Sequence, residues 1–287
     1  MTARPARLEL LKLNHVNAIV DGYESAVDHF VGRLGLQFNL RVAHPGDDVD
    51  ACLVSLGPVI FELFAPRQRA ERGQGRLLAL YGDHYIGAEY QVRDVAAARA
   101  ACDALGVRLL TDLGHFFFTH PRDGFGVSWE VWDGDWHAPR PDFPEFVPVH
   151  PGTYWRDEHP LGVTGLACLR AAVPELATAV AFFDRVFGAS VAYRDARPAV
   201  GAEAAGVHVG DTVVELLAPT GPGELSDFLE RYGPRLRSTV FEVDDLERAE
   251  RHLDGIGIPL VDGDDAKSRL LAPDHNHGLR IELRPAG

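Results

Sequence analysis

Leu13-Asn14-His15-Val16-Asn17-Ala18-Ile19-Val20 is the stretch whose reading decides the fold. Apolar residues alternate along it and its C-terminal end is β-branched, which is the pattern of a β-strand. A histidine stands near its start. An amphipathic run from Glu24 to Leu34 follows at once and stops at Gly35. A strand leading into a helix closed by glycine is common on its own. The same unit recurs along the chain, and the recurrence carries the reading.

Working outward, Leu36 to Val42 reads as a strand and His44-Pro45-Gly46-Asp47-Asp48 as a turn. Ala51 to Leu56 and Val59 to Phe64 read as a hairpin joined at Gly57-Pro58, with Glu62 inside its second strand. A loop rich in Arg and Gly spans Arg67 to Arg76. The pattern then restarts: a strand over Tyr85 to Val92, and an Ala-rich helix over Val95 to Leu105, opened by Asp94 as N-cap and closed by Gly106. Strands follow at Val107–Leu110, His115–Thr119 and Val127–Trp132, the last carrying Glu130.

The second half repeats the first. A strand is expected at Val163–Leu169, a helix over Pro174–Phe187 closed by Gly188, and strands at Ser190–Arg194, Gly206–Val209 and Thr212–Leu217 with Glu215. A last unit follows, with a strand at Arg237–Val243 and a helix over Asp245–Ile256 closed by Gly257. Strands at Ile258–Val261, Ser268–Leu271 and Leu279–Leu283 complete it, the last carrying Glu282. The spacing of the closing glycines is too long for a solenoid and fits duplication of a βαβββ unit. Between the halves, six prolines punctuate an aromatic, polar stretch from Asp133 to Pro160. Its Trp136, Phe143, Phe146, Tyr154 and Trp155 need surfaces to pack on, so it reads as an ordered linker. The expected domains are residues 1–132, the linker 133–160, and residues 161–287.

The bulk properties narrow the function. A chain of 287 residues favours two domains. A net charge of -14 argues against nucleic acid and against an anionic membrane surface as partners. No apolar run reaches membrane-spanning length, and no signal core follows the N-terminus, so a cytoplasmic location is expected. The cysteines, Cys52, Cys102 and Cys168, are odd in number and far apart, which suits a reducing compartment.

On these motifs the chain resembles the vicinal oxygen chelate superfamily, the group of glyoxalase I, extradiol dioxygenases, methylmalonyl-CoA epimerase and fosfomycin or bleomycin resistance proteins. The motifs that carry the resemblance are His15 to Gly35, Val92-Arg93-Asp94 with its helix to Gly106, Phe241 to Leu246 with its helix, and Asp274 through Gly278 to Ile281-Glu282-Leu283. The resemblance implies an α+β fold of four βαβββ units forming two half-open mixed β-sheet barrels. It also implies one divalent metal ion, with ligands from the first and last strands of paired units.

Carried over by position, the resemblance gives His15 and Glu62 from the first unit, and Gly87 and Glu130 from the second. A histidine is expected where Gly87 stands. Glu89 shares that residue's strand face and is the replacement ligand; His84 points to the opposite face. Metal ligation is thus expected from His15, Glu62, Glu89 and Glu130. Glu62 and His120 are the acid–base candidates. Phe116, Phe118, Trp129, Trp132 and His84 are expected to line a substrate pocket. The plainer readings are a strand-edge role for His15, solvent-facing strand glutamates, a local carbonyl contact for His120, and a tight turn for His275 and His277. In the second half the matching positions are Cys168, Glu215, Ser238 and Glu282, a poor donor set for Fe(II) or Mn(II). That half is expected to be structural and metal-free.

The donor set suits Fe(II), Mn(II), Zn(II), Ni(II) or Co(II). Such an ion with an open edge binds neighbouring oxygens of a small molecule, and a carboxylate then takes an α proton. The first expectation is therefore a metal-dependent isomerase, epimerase or lyase. The alternatives are an Fe(II) dioxygenase of a catechol-like ring, and an aromatic-ligand binding or resistance protein without catalysis. Pairing of units within the chain is expected, and a homodimer is compatible with it.

Overall fold

The computed structural model describes residues 6–43, 48–69 and 71–287; the turn expected at His44–Asp48 lies mostly outside them. The first unit consists of β1 (Lys12–Ile19), α1 (Tyr23–Val27), β2 (Gln37–Ala43), β3 (Val49–Leu56) and β4 (Val59–Pro66). After α2 (Gly73–Tyr81) comes the second: β5 (His84–Gln91), α3 (Val95–Leu105), β6 (Leu109–Asp112), β7 (Phe116–Thr119) and β8 (Ser128–Trp132). The third contains β9 (Val163–Ala172), α4 (Leu176–Phe187), β10 (Val191–Arg197), β11 (Ala202–Val209) and β12 (Thr212–Pro219). After α5 (Glu224–Tyr232), the fourth contains β13 (Arg235–Val243), α6 (Leu246–Gly255), β14 (Leu260–Asp262), β15 (Arg269–Leu271) and β16 (Ile281–Pro285).

These strands form two eight-stranded mixed sheets, ordered β2-β3-β4-β1-β5-β8-β7-β6 and β10-β11-β12-β9-β13-β16-β15-β14. The first strand of each unit pairs parallel with the last, as β1 with β4, β5 with β8, β9 with β12 and β13 with β16. A helix crossover is what permits such a parallel pairing. The repeat read from the sequence is therefore present, and the fold is α+β. By packing, the chain groups into two compact units, one of residues up to 14 with 87–135 and 168–236, the other of residues 15–86, 136–167 and 237–287. The divisions fall inside β1, β5, β9 and β13.

Local signals explain the helix ends. The Asp94 side chain accepts from the backbone N–H groups of Ala96 and Ala97 at 2.8 and 3.0 Å, which caps α3. Gly106 ends that helix in the left-handed conformation, at φ 69°. Glu175 caps α4 in the same way, so that helix begins at Leu176, two residues later than expected. The expected helix over Glu24–Leu34 is α-helical only to Val27; Asp28–Arg33 winds as a π-helix, with Leu34 N–H reaching back to His29 O.

Two helices were not read from the sequence. The Arg67–Arg76 loop gives way to α2, whose Leu78 packs on Ile19, Ala51 and Phe64. In the corresponding place of the second half, Leu225 of α5 packs on Ala172, Ala202 and Leu217, with Phe228 and Leu229 beside it. The β1 and β4 strands are buried almost throughout, so a polar residue within them does not face solvent.

Candidate metal centre

Parallel pairing of β1 with β4 sets Asn17 opposite Glu62, and His15 lies two residues upstream on the same face. The His15 Nδ1 atom is 2.8 Å from Asn17 Oδ1, so the ring donates there and presents an unprotonated Nε2. Nε2 lies 3.7 Å from Glu62 Oε2. Burial, with His137 adding to it, lowers the His15 pKa to about 3. Its imidazole is thus neutral at neutral pH, the form that ligates a metal.

Pairing of β5 with β8 sets Glu89 beside Glu130 in register. His15, Glu89 and Glu130 are 2%, 4% and 5% exposed, deep enough that each charge needs a counterpart. Each of these residues offers a ligand atom within 4.8 Å of the others, and among the described residues they are the one such group. Two carboxylates around one neutral imidazole suit a hard-to-borderline divalent ion. Glu62, 7% exposed, stands next to His15 but outside the trio.

Gly87 occupies the position where a histidine was expected, and the backbone explains the glycine. A Cβ placed there would sit 2.1 Å from the Ser128 carbonyl oxygen, so no side chain fits without moving a strand. Glu89, one alternation further on, is the residue that reaches the trio.

Other expected residues divide. Phe118 pairs with Glu130 and Phe116 with Trp132, so these three aromatics share the Glu130 face. Trp129 does not: it alternates to the opposite face and packs against Phe183 and Phe187 of α4, with centroids 5.7 and 5.2 Å away. The expected pocket role of Trp129 is therefore corrected to core packing. His84 is also outside the trio; its Nδ1 bonds Gly82 O at 2.7 Å and its ring meets Tyr81 edge-on. His120, expected as acid or base, instead caps a short 3-10 turn, its Nδ1 accepting from Arg122 N–H at 3.2 Å.

Three features near His15 and Glu62 were not assigned from sequence. Asn17 orients the His15 ring. His137, next to Trp136 in the linker, interacts electrostatically with His15. The linker aromatics Trp136, Phe143 and Phe146 pack on Leu40, Leu53 and Ile60. Leu53 pairs with Glu62 and Leu40 with Leu53, so this aromatic layer covers the Glu62 face. The aromatic content of the linker was legible; the face it covers was not.

The second half treats the matching positions differently. Arg170 pairs with Glu215 as Asn17 pairs with Glu62, which puts Cys168 at the place of His15. Val240 pairs with Glu282 as Glu89 pairs with Glu130, which puts Ser238 at the place of Gly87. Glu215 accepts from Arg170 Nε at 2.6 Å and from Tyr193 Oη at 2.8 Å, and is also paired with Arg197. Glu282 accepts from the Ser238 and Ser268 hydroxyls at 2.7 and 2.6 Å and from Asp264 N–H at 3.0 Å. Both carboxylates are neutralised or hydrogen-bonded by the chain itself.

A family model described as a glyoxalase-like domain matches residues 13–187. A second, of the glyoxalase/bleomycin resistance protein/dioxygenase superfamily, matches residues 169–273. No curated protein matches the chain in sequence. Among solved structures, the chain is similar to a mutant of 4-hydroxymandelate synthase from Streptomyces coelicolor, with a TM-score of 0.73 at 16% identity over 99% of this chain and 94% of that one. It is also similar to a xylose isomerase-like TIM barrel/4-hydroxyphenylpyruvate dioxygenase fusion protein, with a TM-score of 0.65 at 15% identity over 99% of this chain and 51% of that one. Methylmalonyl-CoA epimerase from Mycobacterium tuberculosis aligns over 44% of this chain and 90% of that one, at 26% identity and a TM-score of 0.41. The repeated βαβββ units, the parallel pairing of their outer strands and the family match over most of the chain lead to one conclusion: the protein belongs to the glyoxalase-like domain family of the glyoxalase/bleomycin resistance/dioxygenase superfamily.

Proposed function

We propose that the protein is a metal-dependent enzyme that moves a proton on a small molecule carrying two neighbouring oxygens, as an isomerase, epimerase or lyase. The observation that carries this reading is the buried trio of His15, Glu89 and Glu130, with ligand atoms within 4.8 Å of one another. A divalent ion bound there supplies Lewis-acid polarisation of a substrate oxygen.

The chain's own residues do the rest. His15 contributes a neutral Nε2 atom, and Asn17 holds its ring in that tautomer. Glu89 and Glu130 supply the balancing negative charge. Glu62, 3.7 Å from His15 Nε2 and outside the trio, is the group that takes and returns the proton at the substrate carbon. Phe116, Phe118 and Trp132 give the Glu130 face an apolar wall that orients a flat substrate and excludes water.

An Fe(II) dioxygenase would use the same donors, and dioxygenase chemistry is named for one similar structure. Two measurements separate the readings. Protein loaded with Mn(II), Co(II), Ni(II) or Zn(II) is incubated in heavy water with a panel of 2-oxo acids, 2-hydroxy ketones and methylmalonyl thioesters. The Fe(II) form is assayed for oxygen consumption with catechols and aryl 2-oxo acids. Deuterium entering a substrate carbon, lost in Glu62→Gln, is the expected result. Oxygen consumption without deuterium entry would transfer the proposal to the dioxygenase.

A further inference from the structure

The turn from Asp274 to Gly278 has no part in the metal centre, yet three chemistry-bearing side chains meet there. His277 Nδ1 lies 3.0 Å from Asp83 Oδ2, and His277 Nε2 lies 3.2 Å from Ser25 Oγ. All three belong to the same compact unit. The other Asp83 oxygen, Oδ1, accepts from the Asp21 backbone N–H at 2.8 Å, which fixes the carboxylate with Oδ2 toward the imidazole.

The turn is built around this arrangement. His277 has φ 46°, in the left-handed region that non-glycine residues seldom adopt. Such a backbone persists only where neighbours enforce it, and it is found often at functional positions. Here the neighbours are visible. Asn276 is fully buried, donates to Leu279 O at 2.7 Å and meets His29 Nε2 at 2.8 Å. Gly278, at φ 64°, runs so close to Asp83 that an added Cβ would lie 3.0 Å from its carbonyl oxygen. The His277 ring rests against His29 and Phe30, with centroids 5.3 and 5.7 Å away.

The bond to Asp83 places a proton on Nδ1, so Nε2 is the acceptor for the Ser25 hydroxyl. A hydroxyl bonded to an imidazole that is bonded to a carboxylate is the nucleophile, base and orienting group of acyl transfer, recognised by geometry and not by sequence order. Ser25 is exposed in the first turn of α1, within reach of a dissolved reagent. The Asp83 and His277 side chains are largely shielded, at 12% and 15% exposure.

We propose that Ser25, His277 and Asp83 form a second, metal-independent site that transfers the acyl group of small activated esters to water. Ser25 Oγ attacks the ester carbonyl carbon while its proton passes to His277 Nε2. The bond from carbon to the leaving oxygen breaks, and the alcohol departs with that proton. Water then attacks the acyl-serine, gives its proton to Nε2, and releases the carboxylic acid and the free serine. No oxidant or cofactor enters the balance. The open surface around Ser25 favours aryl esters with good leaving groups over bulky esters that need an enclosing pocket.

The test is labelling of the intact protein with an aryl fluorophosphonate at neutral pH, read by intact mass and peptide mapping, alongside hydrolysis of p-nitrophenyl acetate. The expected result is one adduct per chain on Ser25, absent in Ser25→Ala. In His277→Gln the labelling rate should fall by about 100-fold or more. Asp83→Asn should slow both reactions while leaving the fold intact by circular dichroism. A contact that only ties the turn to α1 predicts altered thermal stability in these variants and no adduct in the wild type. An unlabelled wild-type Ser25, or adducts confined to other residues, would overturn the proposal without reference to any variant.

Discussion

Arg170 Nε donates to Glu215 Oε1 at 2.6 Å, with both side chains fully buried. The corresponding pair in the first half is Asn17 and Glu62. One half thus bonds its strand glutamate with a guanidinium; in the other, the residue opposite the glutamate is a neutral amide that bonds a histidine. Breaking a buried ion pair from one side leaves an uncompensated charge and costs about 3–5 kcal/mol. Glu215 keeps Arg197 and Tyr193 as partners, so Arg170→Met should lower stability by less than that, by about 1.5–3 kcal/mol in denaturant titration, the usual worth of a hydrogen bond to a charged group. Glu62→Gln, at the matching place, should alter turnover far more than stability.

Asn17 holds the His15 ring through a 2.8 Å contact without belonging to the trio. Groups that orient a metal-binding histidine typically contribute about 10–100-fold in affinity. Asn17→Ala should weaken metal binding by that factor in calorimetric titration, with an unchanged circular dichroism spectrum. Unchanged affinity would remove Asn17 from the site.

Gly87 should tolerate no side chain. A Cβ would lie 2.1 Å from Ser128 O, so Gly87→Ala forces β5 and β8 apart. Overpacking of this kind costs about 1–3 kcal/mol or more. Gly87→His, which would restore the expected histidine to the sequence, should lower the thermal midpoint and bind metal no better. Tighter binding by Gly87→His would show that the strand can move.

Three buried histidines set the acid response. Burial lowers His15 to about 3 and His159 to about 4, and also lowers His29. Each folded-state value lies below the unfolded value near 6.5, so the unfolded chain binds more protons below that pH. Their contribution to stability is present above about pH 6.5 and is lost as the pH falls toward 4. The denaturation midpoint of the metal-free protein should drop steadily over that window. His159→Gln should flatten part of the drop. A midpoint constant from pH 7 to 4.5 would contradict the shifts.

The fold was legible because its signals are local and repeated. Glycines such as Gly106 and Gly188 end helices in the left-handed conformation, and Asp94 caps one through its side chain. Two helices, α2 and α5, lie outside the repeated pattern. Gly73 and Gly75 make α2 resemble a loop in sequence, whereas Leu225, Phe228, Leu229 and Tyr232 stand at helical spacing in α5. For the centre, the family resemblance points to Gly87 and Glu130, and strand parity from Gly87 brings out Glu89. The same parity sets Trp129 on the face opposite Glu130, so its pocket role runs against the alternation, and α4 covers the face it takes. His120 stands in the structure as the cap of a short turn, a role that Thr119-His120-Pro121 does not distinguish in sequence from an acid–base one. Ser25, His277 and Asp83 are far apart in the chain, and no spacing rule joins them.

Metal content tests the central claim most directly. The intact protein, His15→Ala and Glu130→Ala are each incubated with Mn(II), Fe(II), Co(II), Ni(II) and Zn(II), desalted, and assayed by elemental analysis. The account predicts stoichiometric retention of one of these ions by the intact protein and its loss in both variants. An intact protein that retains none of the five, or variants that retain as much as the intact protein, would contradict it.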